Sequence, residues 1–164
     1  MILYNIYLIK RILHESGITY MIFSREIGID LGTSNTIVAD KRGHIVINEP
    51  SVVAVDVKSK RVLATGSEAK NMIGRTPGSI VSVRPIRDGV IADFDMTADM
   101  LHDFMYRSSK RSVFTKTSVV ICVPSDVTEV ERRAVEDAVS VDDHQFFHVL
   151  DPFGFVFAEK SGRS

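Results

Sequence analysis

The chain has 164 residues, 45% hydrophobic and 25% charged, with 20 Lys plus Arg against 21 Asp plus Glu for a formal net charge of −1. That length suits one domain with its own core, and the balanced charge excludes both a generally basic nucleic-acid binder and an acidic disordered chain. A single cysteine, Cys122, excludes an intrachain disulfide, which suits a reducing compartment, and no run reaches the roughly 18 apolar residues of a membrane span.

Residues 1–13, MILYNIYLIKRIL, are mostly apolar and carry their charge last. A signal peptide has the opposite order and ends in small residues. Three readings of this segment stay open: an amphipathic membrane anchor, a buried helix, or an extension upstream of a second start at Met21. Residues 27–31 predict a short strand, Gly32 to Asn35 a turn, and the β-branched stretch 36–39 a second strand. Lys41-Arg42-Gly43 turns the chain back into Ile45-Val46-Ile47, and Pro50 closes that unit. Residues 51–57 and 61–64 predict another hairpin around Lys58-Ser59-Lys60. A short helix over 67–73 ends at Gly74, Thr76-Pro77-Gly78 is a turn, and 80–83 is a strand that stops at Pro85. Asp88-Gly89 leads into the strand Val90-Ile91-Ala92. Thr97 is expected to cap a helix whose Met100, Leu101, Phe104 and Met105 share one face. The continuous apolar run 117–123 predicts a strand buried on both faces. Pro124-Ser125-Asp126 breaks it, and Thr128 with Glu131 fits a capping box for a helix reaching about Ser140. Strands and helices in this order make an α/β layered domain.

The sharpest chemical signal is Asp30-Leu-Gly32-Thr33-Ser34-Asn35-Thr36. A glycine at a hairpin tip lets backbone N–H groups approach phosphate oxygens. Thr33, Ser34 and Asn35 add short donors, and Asp30 at the strand end suits Mg²⁺ held through water. The same residue types also make an ordinary hairpin turn, and no Walker lysine follows. Glu49 positions a loop or faces solvent, with solvent favoured. Arg75, Arg84 and Arg87 suit phosphate or subunit contacts, though scattered arginines are commonly solvated. Asp93 and Asp95 suggest paired carboxylates, but a Thr97 cap makes Asp95 a flanking turn residue. Glu129, Glu131, Arg132 and Arg133 read as a solvated helix face, Cys122 as a core residue. His102, His144 and His148 show no metal-ligand spacing, and no Ser/His/Asp arrangement is visible.

IGIDLGTSNT, INEPSVVAVD, GRTPG, RPIRDGVIADF and ICVPSDVTEVERRAVEDA, in that order, resemble the MreB family of bacterial actin homologues over about residues 27–138. The resemblance implies the first lobe of an actin/Hsp70-like (ribonuclease H-like) ATPase with a small α+β insert subdomain. It implies ATP and Mg²⁺ as cofactors, with Gly32, Thr33, Ser34 and Asn35 as the first phosphate loop and Asp30 on the metal side through water. It divides the chain into an N-terminal extension or amphipathic anchor (1–22), the core of the first lobe (23–48 and 94–152), the insert (49–93) and a divergent tail (153–164). The implied partners are further copies of the chain in a filament, the membrane surface and the cell-wall elongation machinery, with no nucleic acid. The implied location is cytoplasmic, peripheral on the inner face of the membrane, with a role in rod cell shape. It favours the extension reading of residues 1–20.

Two departures from the family pattern bear on catalysis. Where the family places the glutamate that orients the attacking water, this chain aligns Leu150, followed by Asp151-Pro152, so no catalytic residue is assigned. The family's second phosphate loop and second lobe have no counterpart in residues 1–164. Phe146, Phe147, Phe153, Phe155 and Phe157 crowd five of the nine phenylalanines into the last nineteen residues, where the family has small residues over 153–157, consistent with a frameshifted gene end or with a genuine variant. Weak or absent ATPase activity and a tendency to self-associate are therefore expected. The alternative expectation is a non-catalytic remnant or interaction fragment of the same family; a small-molecule kinase or chaperone ATPase of the superfamily fits the insert motifs less well.

Overall fold

The computed structural model describes residues 25–73, 78–108, 117–123, 127–139, 146–150 and 156–160. The expectations for residues 1–24, for Gly74 and Arg75, for the Thr76-Pro77 half of its turn, for Pro124-Ser125-Asp126, and for His144, Asp151, Phe153 and Phe155 fall outside these residues.

A six-stranded mixed sheet carries the fold, in the order β11-β10-β9-β1-β2-β3. Strand β1 (Arg25–Leu31) lies at its centre, antiparallel to β2 (Asn35–Asp40) and parallel to β9 (Thr117–Cys122). Strand β3 (Ile45–Pro50) extends one side, and β10 (Phe146–Leu150) and β11 (Val156–Lys160) extend the other. In β9, Val119 to Cys122 are all buried, as the unbroken apolar run predicts. Strand β11 extends the sheet with residues that the sequence alone marks only as a tail.

Between β3 and the long helix lies a smaller unit. Strands β4 (Val53–Asp56), β5 (Val62–Thr65) and β6 (Ile80–Val83) form a three-stranded antiparallel sheet in the order β5-β4-β6. Helix α1 (Gly66–Met72) packs on it through Ala69, against Val52, Ala54 and Ala64. The three alanines leave room for the close approach that a seven-residue helix needs to bury its face. Asp56 shapes the β4–β5 turn by accepting from the N–H groups of Lys58 at 3.0 Å and Ser59 at 2.7 Å. Strands β7 (Ile86–Arg87) and β8 (Val90–Ile91) close on a two-residue turn with both Asp88 and Gly89 at positive φ, the I′ geometry that favours Asp-Gly. The sequence showed the turn and β8 but not β7, which is two residues long.

Helix α2 (Phe94–Ser108) begins four residues earlier than a Thr97 cap implied. Asp93, not Thr97, is the cap: its Oδ1 accepts from Met96 N–H at 2.9 Å. Thr97 lies inside the first turn, buried, and bonds back to the Asp93 carbonyl at 2.6 Å. Asp95 is therefore a first-turn acid and not a turn residue, and it does not pair with Asp93. Helix α3 (Glu129–Val139) starts with the reciprocal box expected: Thr128 N–H donates to Glu131 at 2.7 Å, and Glu131 N–H to Thr128 Oγ1 at 3.3 Å. Its acids are not merely solvated, because Arg132 bridges Glu129 and Glu136 along the helix.

One cluster unites these layers. Ile27, Ile29 and Leu31 of β1, Val119 and Ile121 of β9, Met100, Leu101 and Phe104 of α2, and Val135 and Val139 of α3 meet Val53 and Val55 of the small sheet. Cys122 is buried, as expected of a core residue. Among the described residues no helix is long and apolar enough to cross a membrane.

Candidate functional site

The C-terminal ends of parallel strands are where α/β sheets bind ligands, because the following loops open there. Here the register sets Asp30 of β1 opposite Cys122 of β9, and Cys122 opposite Leu150 of β10. Asp30 and Leu150 thus stand in one row across the sheet, and the Gly32–Asn35 loop leaves β1 immediately beyond that row. The positions singled out in the sequence, 120 residues apart along the chain, are brought to one edge.

The loop is held from several sides. A Cβ on Gly32 would lie 2.6 Å from the Asn35 carbonyl oxygen, so no side chain fits there without moving backbone. Ser51, fully buried, donates its hydroxyl to the Gly32 carbonyl at 2.6 Å and its N–H to the Ser34 carbonyl at 3.0 Å. Asn35 Nδ2 donates to Asn48 Oδ1 at 2.8 Å. Gly89 N–H donates to Thr33 Oγ1 at 3.0 Å, tying the loop to the β7–β8 turn. A hydroxyl that accepts still has a proton to donate, so Thr33 keeps a donor for a ligand. The loop is a braced cradle of short donors, not a loose turn. Its partners Ser51, Asn48 and Gly89 lie 13 to 56 residues away along the chain, and only their sites at strand ends and turns marked them in the sequence.

Among the described residues no group of three or more His, Cys, Asp or Glu side chains could hold a metal ion. Of the site residues expected from the sequence one is a carboxylate, Asp30, two positions before Gly32. That donor set fits Mg²⁺ bound chiefly by water and phosphate, as this ion prefers, and does not fit a protein cage. Arg84 and Arg87 do not join the loop: both are exposed, and Arg87 Nε donates to the Arg84 carbonyl at 3.3 Å.

Glu49 departs from the sequence expectation. It does not face solvent. Arg107 grips it with two guanidinium nitrogens, at 2.7 and 3.2 Å, and Ser67 N–H donates to the same carboxylate at 2.9 Å. Arg107 also pairs with Asp103 one turn earlier at 2.9 Å, and Asp103 accepts from the Thr65 hydroxyl. Strand β3, the start of α1 and the end of α2 therefore meet in one charged knot. The Arg107 bonds hold the Glu49 carboxyl below its ordinary value of 4.5, against the opposing pull of partial burial and with help from Ser67 N–H. A carboxyl lowered in the fold stabilises it above the unfolded value and loses that contribution as pH falls through the folded one. The stability gap between the wild-type chain and Glu49→Gln is accordingly expected to be full at about pH 7 and to shrink below about pH 4.5. Urea midpoints of the two proteins across that range measure it; a gap independent of pH would show that the pair contributes nothing through charge.

Residues 24–150 match the family model described as MreB/Mbl protein. The cell shape-determining protein Mbl of Bacillus subtilis (strain 168) is 51% identical over 116 residues, 71% of this chain and 35% of Mbl. The cell shape-determining protein MreB of Escherichia coli (strain K12) is 44% identical over 136 residues, 79% of this chain and 39% of that protein. The crystal structure of MreB5 of Spiroplasma citri bound to ADP superposes with a TM-score of 0.65 at 32% identity, over 78% of this chain and 38% of that one. The chain thus spans between a third and two fifths of the length of these relatives.

Proposed function

The chain belongs to the MreB/Mbl family of actin-like, cell shape-determining proteins, and on that premise we propose that it carries the phosphate-binding lobe of an ATP-binding, filament-forming cytoskeletal protein. Gly32, Thr33, Ser34 and Asn35 hold the phosphates, and Asp30 orders the water around Mg²⁺. The supporting observation is the braced loop itself: two of its carbonyls are tied back to Ser51 at the edge where β1 ends, one residue past Asp30. The MreB5 relative was crystallised with ADP, which agrees with a nucleotide on this fold.

Binding, and not hydrolysis, is the activity assigned to this chain. The position level with Asp30 on β10 is Leu150, and a hydrocarbon side chain cannot orient or deprotonate water. Phosphoryl transfer depends on positioned charge in a site that excludes water, so ATP turnover by this chain is slow or absent. Self-assembly, a cytoplasmic location at the inner face of the membrane and service to the cell-wall elongation machinery follow the family. The segments 23–48 with 94–152 form the lobe core, and 49–93 the insert that sits beside the cleft.

Mg²⁺-dependent binding of ATP to the chain tests the assignment. The expected result is measurable affinity that drops at least about tenfold in Asp30→Ala and loses its Mg²⁺ dependence there, one charge-assisted contact being worth about 1.5–3 kcal/mol. Binding that is unchanged in the variant would remove Asp30 from the site. Absence of binding by the wild-type chain would favour a non-catalytic interaction fragment.

A further inference from the structure

Ser51 and Thr36 are polar side chains with no exposed surface. They form a short relay that ends on the loop. Ser51 has one hydroxyl proton, and it goes to the Gly32 carbonyl at 2.6 Å. The Thr36 hydroxyl, 2.9 Å from Ser51 Oγ, must then donate to it. The peptide bonds are trans, and a trans peptide points its C=O and N–H in opposite directions. A Gly32 carbonyl pinned to Ser51 therefore turns the Thr33 N–H away from Ser51. The backbone N–H of Ser51 does the same to the peptide after Ser34 by holding that carbonyl at 3.0 Å. Donation along a chain of hydrogen bonds also polarises its last member, which makes the Thr33 N–H a stronger donor to an anion.

We propose that Ser51 is the positioning residue of the phosphate loop: its hydroxyl and its N–H pin two loop carbonyls inward, so that the Thr33 N–H is set outward for a phosphate oxygen. This rests on the assignment of the loop to phosphate. Ser51 touches no phosphate itself. Without its hydroxyl, the Gly32 carbonyl loses its partner, and the Gly32–Thr33 peptide gains a reason to rotate, which would bring a carbonyl oxygen to face the anion.

The test uses the 164-residue chain labelled with ¹³C and ¹⁵N, with MgADP as the probe. In Ser51→Ala that keeps its circular dichroism spectrum, the Gly32 carbonyl ¹³C resonance should move upfield without nucleotide, as expected for a carbonyl that loses a donor. The Thr33 amide resonance should move with it. MgADP affinity should fall about tenfold, the worth of one oriented hydrogen bond. An unmoved Gly32 carbonyl, or MgADP affinity equal to wild type, overturns the proposal while leaving the loop as a phosphate site. If Ser51→Ala does not fold, Ser51→Cys replaces it, because a thiol is a weaker donor of similar shape. Its Gly32 carbonyl resonance should then move upfield of wild type and its MgADP affinity should fall below wild type, and wild-type values overturn the proposal. A wild-type chain that binds no MgADP overturns the phosphate assignment, and this proposal with it.

Discussion

Phe104→Ala is expected to destabilise the chain by about 3–5 kcal/mol, the usual cost of emptying a large aromatic site. Phe104 has no exposed surface and sits in the cluster that joins α2 to β1, β9 and the small sheet. Neighbours on rigid strands cannot collapse into the gap, so the cavity term adds to the lost transfer energy. The Arg107 guanidinium also lies 5.0 Å from the ring centroid. Removing the ring takes away a cation–π contact and the surface on which Arg107 rests while it holds Glu49. Domains of this size are stable by about 5–15 kcal/mol, so the variant is expected to melt roughly 10 °C lower or more. Phe104→Leu, which keeps most of the volume, should cost less than half as much. Thermal unfolding followed by circular dichroism measures both. A fall of only about 3 °C for Phe104→Ala would mean that α2 is not anchored by this face.

The parts legible in the sequence were those set by neighbours along the chain. The β-branched stretch of β2, the unbroken apolar run of β9, the α2 stripe and the Thr128–Glu131 box each depend on residues a few positions apart, and each is present. The Thr97 cap failed because two candidate caps lie four residues apart. Asp93, with a carboxylate acceptor whose charge is favoured at a helix start, took the position. Strand β7 was missed because its two residues carry no periodicity and follow Pro85, whereas β8, equally short, is marked by the Asp88-Gly89 turn before it. The loop at Gly32 was visible as a composition, but its bracing was not: nothing near Ser51 in the chain shows that it faces Gly32, nineteen residues before it. Glu49 was misjudged for the same reason. Its partners Ser67 and Arg107 lie 18 and 58 residues away, and only the fold gathers them.

Gly66→Ala is expected to cost about 2–4 kcal/mol, more than most substitutions of one hydrogen by a methyl group. Two effects combine. Gly66 has a φ of +60°, where an L-residue loses about 1–2 kcal/mol. A Cβ there would also lie 2.0 Å from Glu49 Oε2, closer than atoms can approach. Glu49 would have to swing away, giving up the Ser67 N–H and its grip on Arg107. Each charge-assisted bond lost in a partly buried place costs about 1.5–3 kcal/mol, reduced here because the Arg107 side chain is 38% exposed. A double-mutant cycle separates the effects. In a Glu49→Ala background the 2.0 Å clash is gone and a tight 3.1 Å approach to the residue-49 Cβ remains, so adding Gly66→Ala should cost mainly the backbone part, about 1–2 kcal/mol. Equal costs in the two backgrounds would show that the carboxylate yields freely and that the charged knot does not fix the start of α1. A smaller cost with Glu49 removed would show that this glycine is required because β3, α1 and α2 meet on one carboxylate that leaves no room for a side chain.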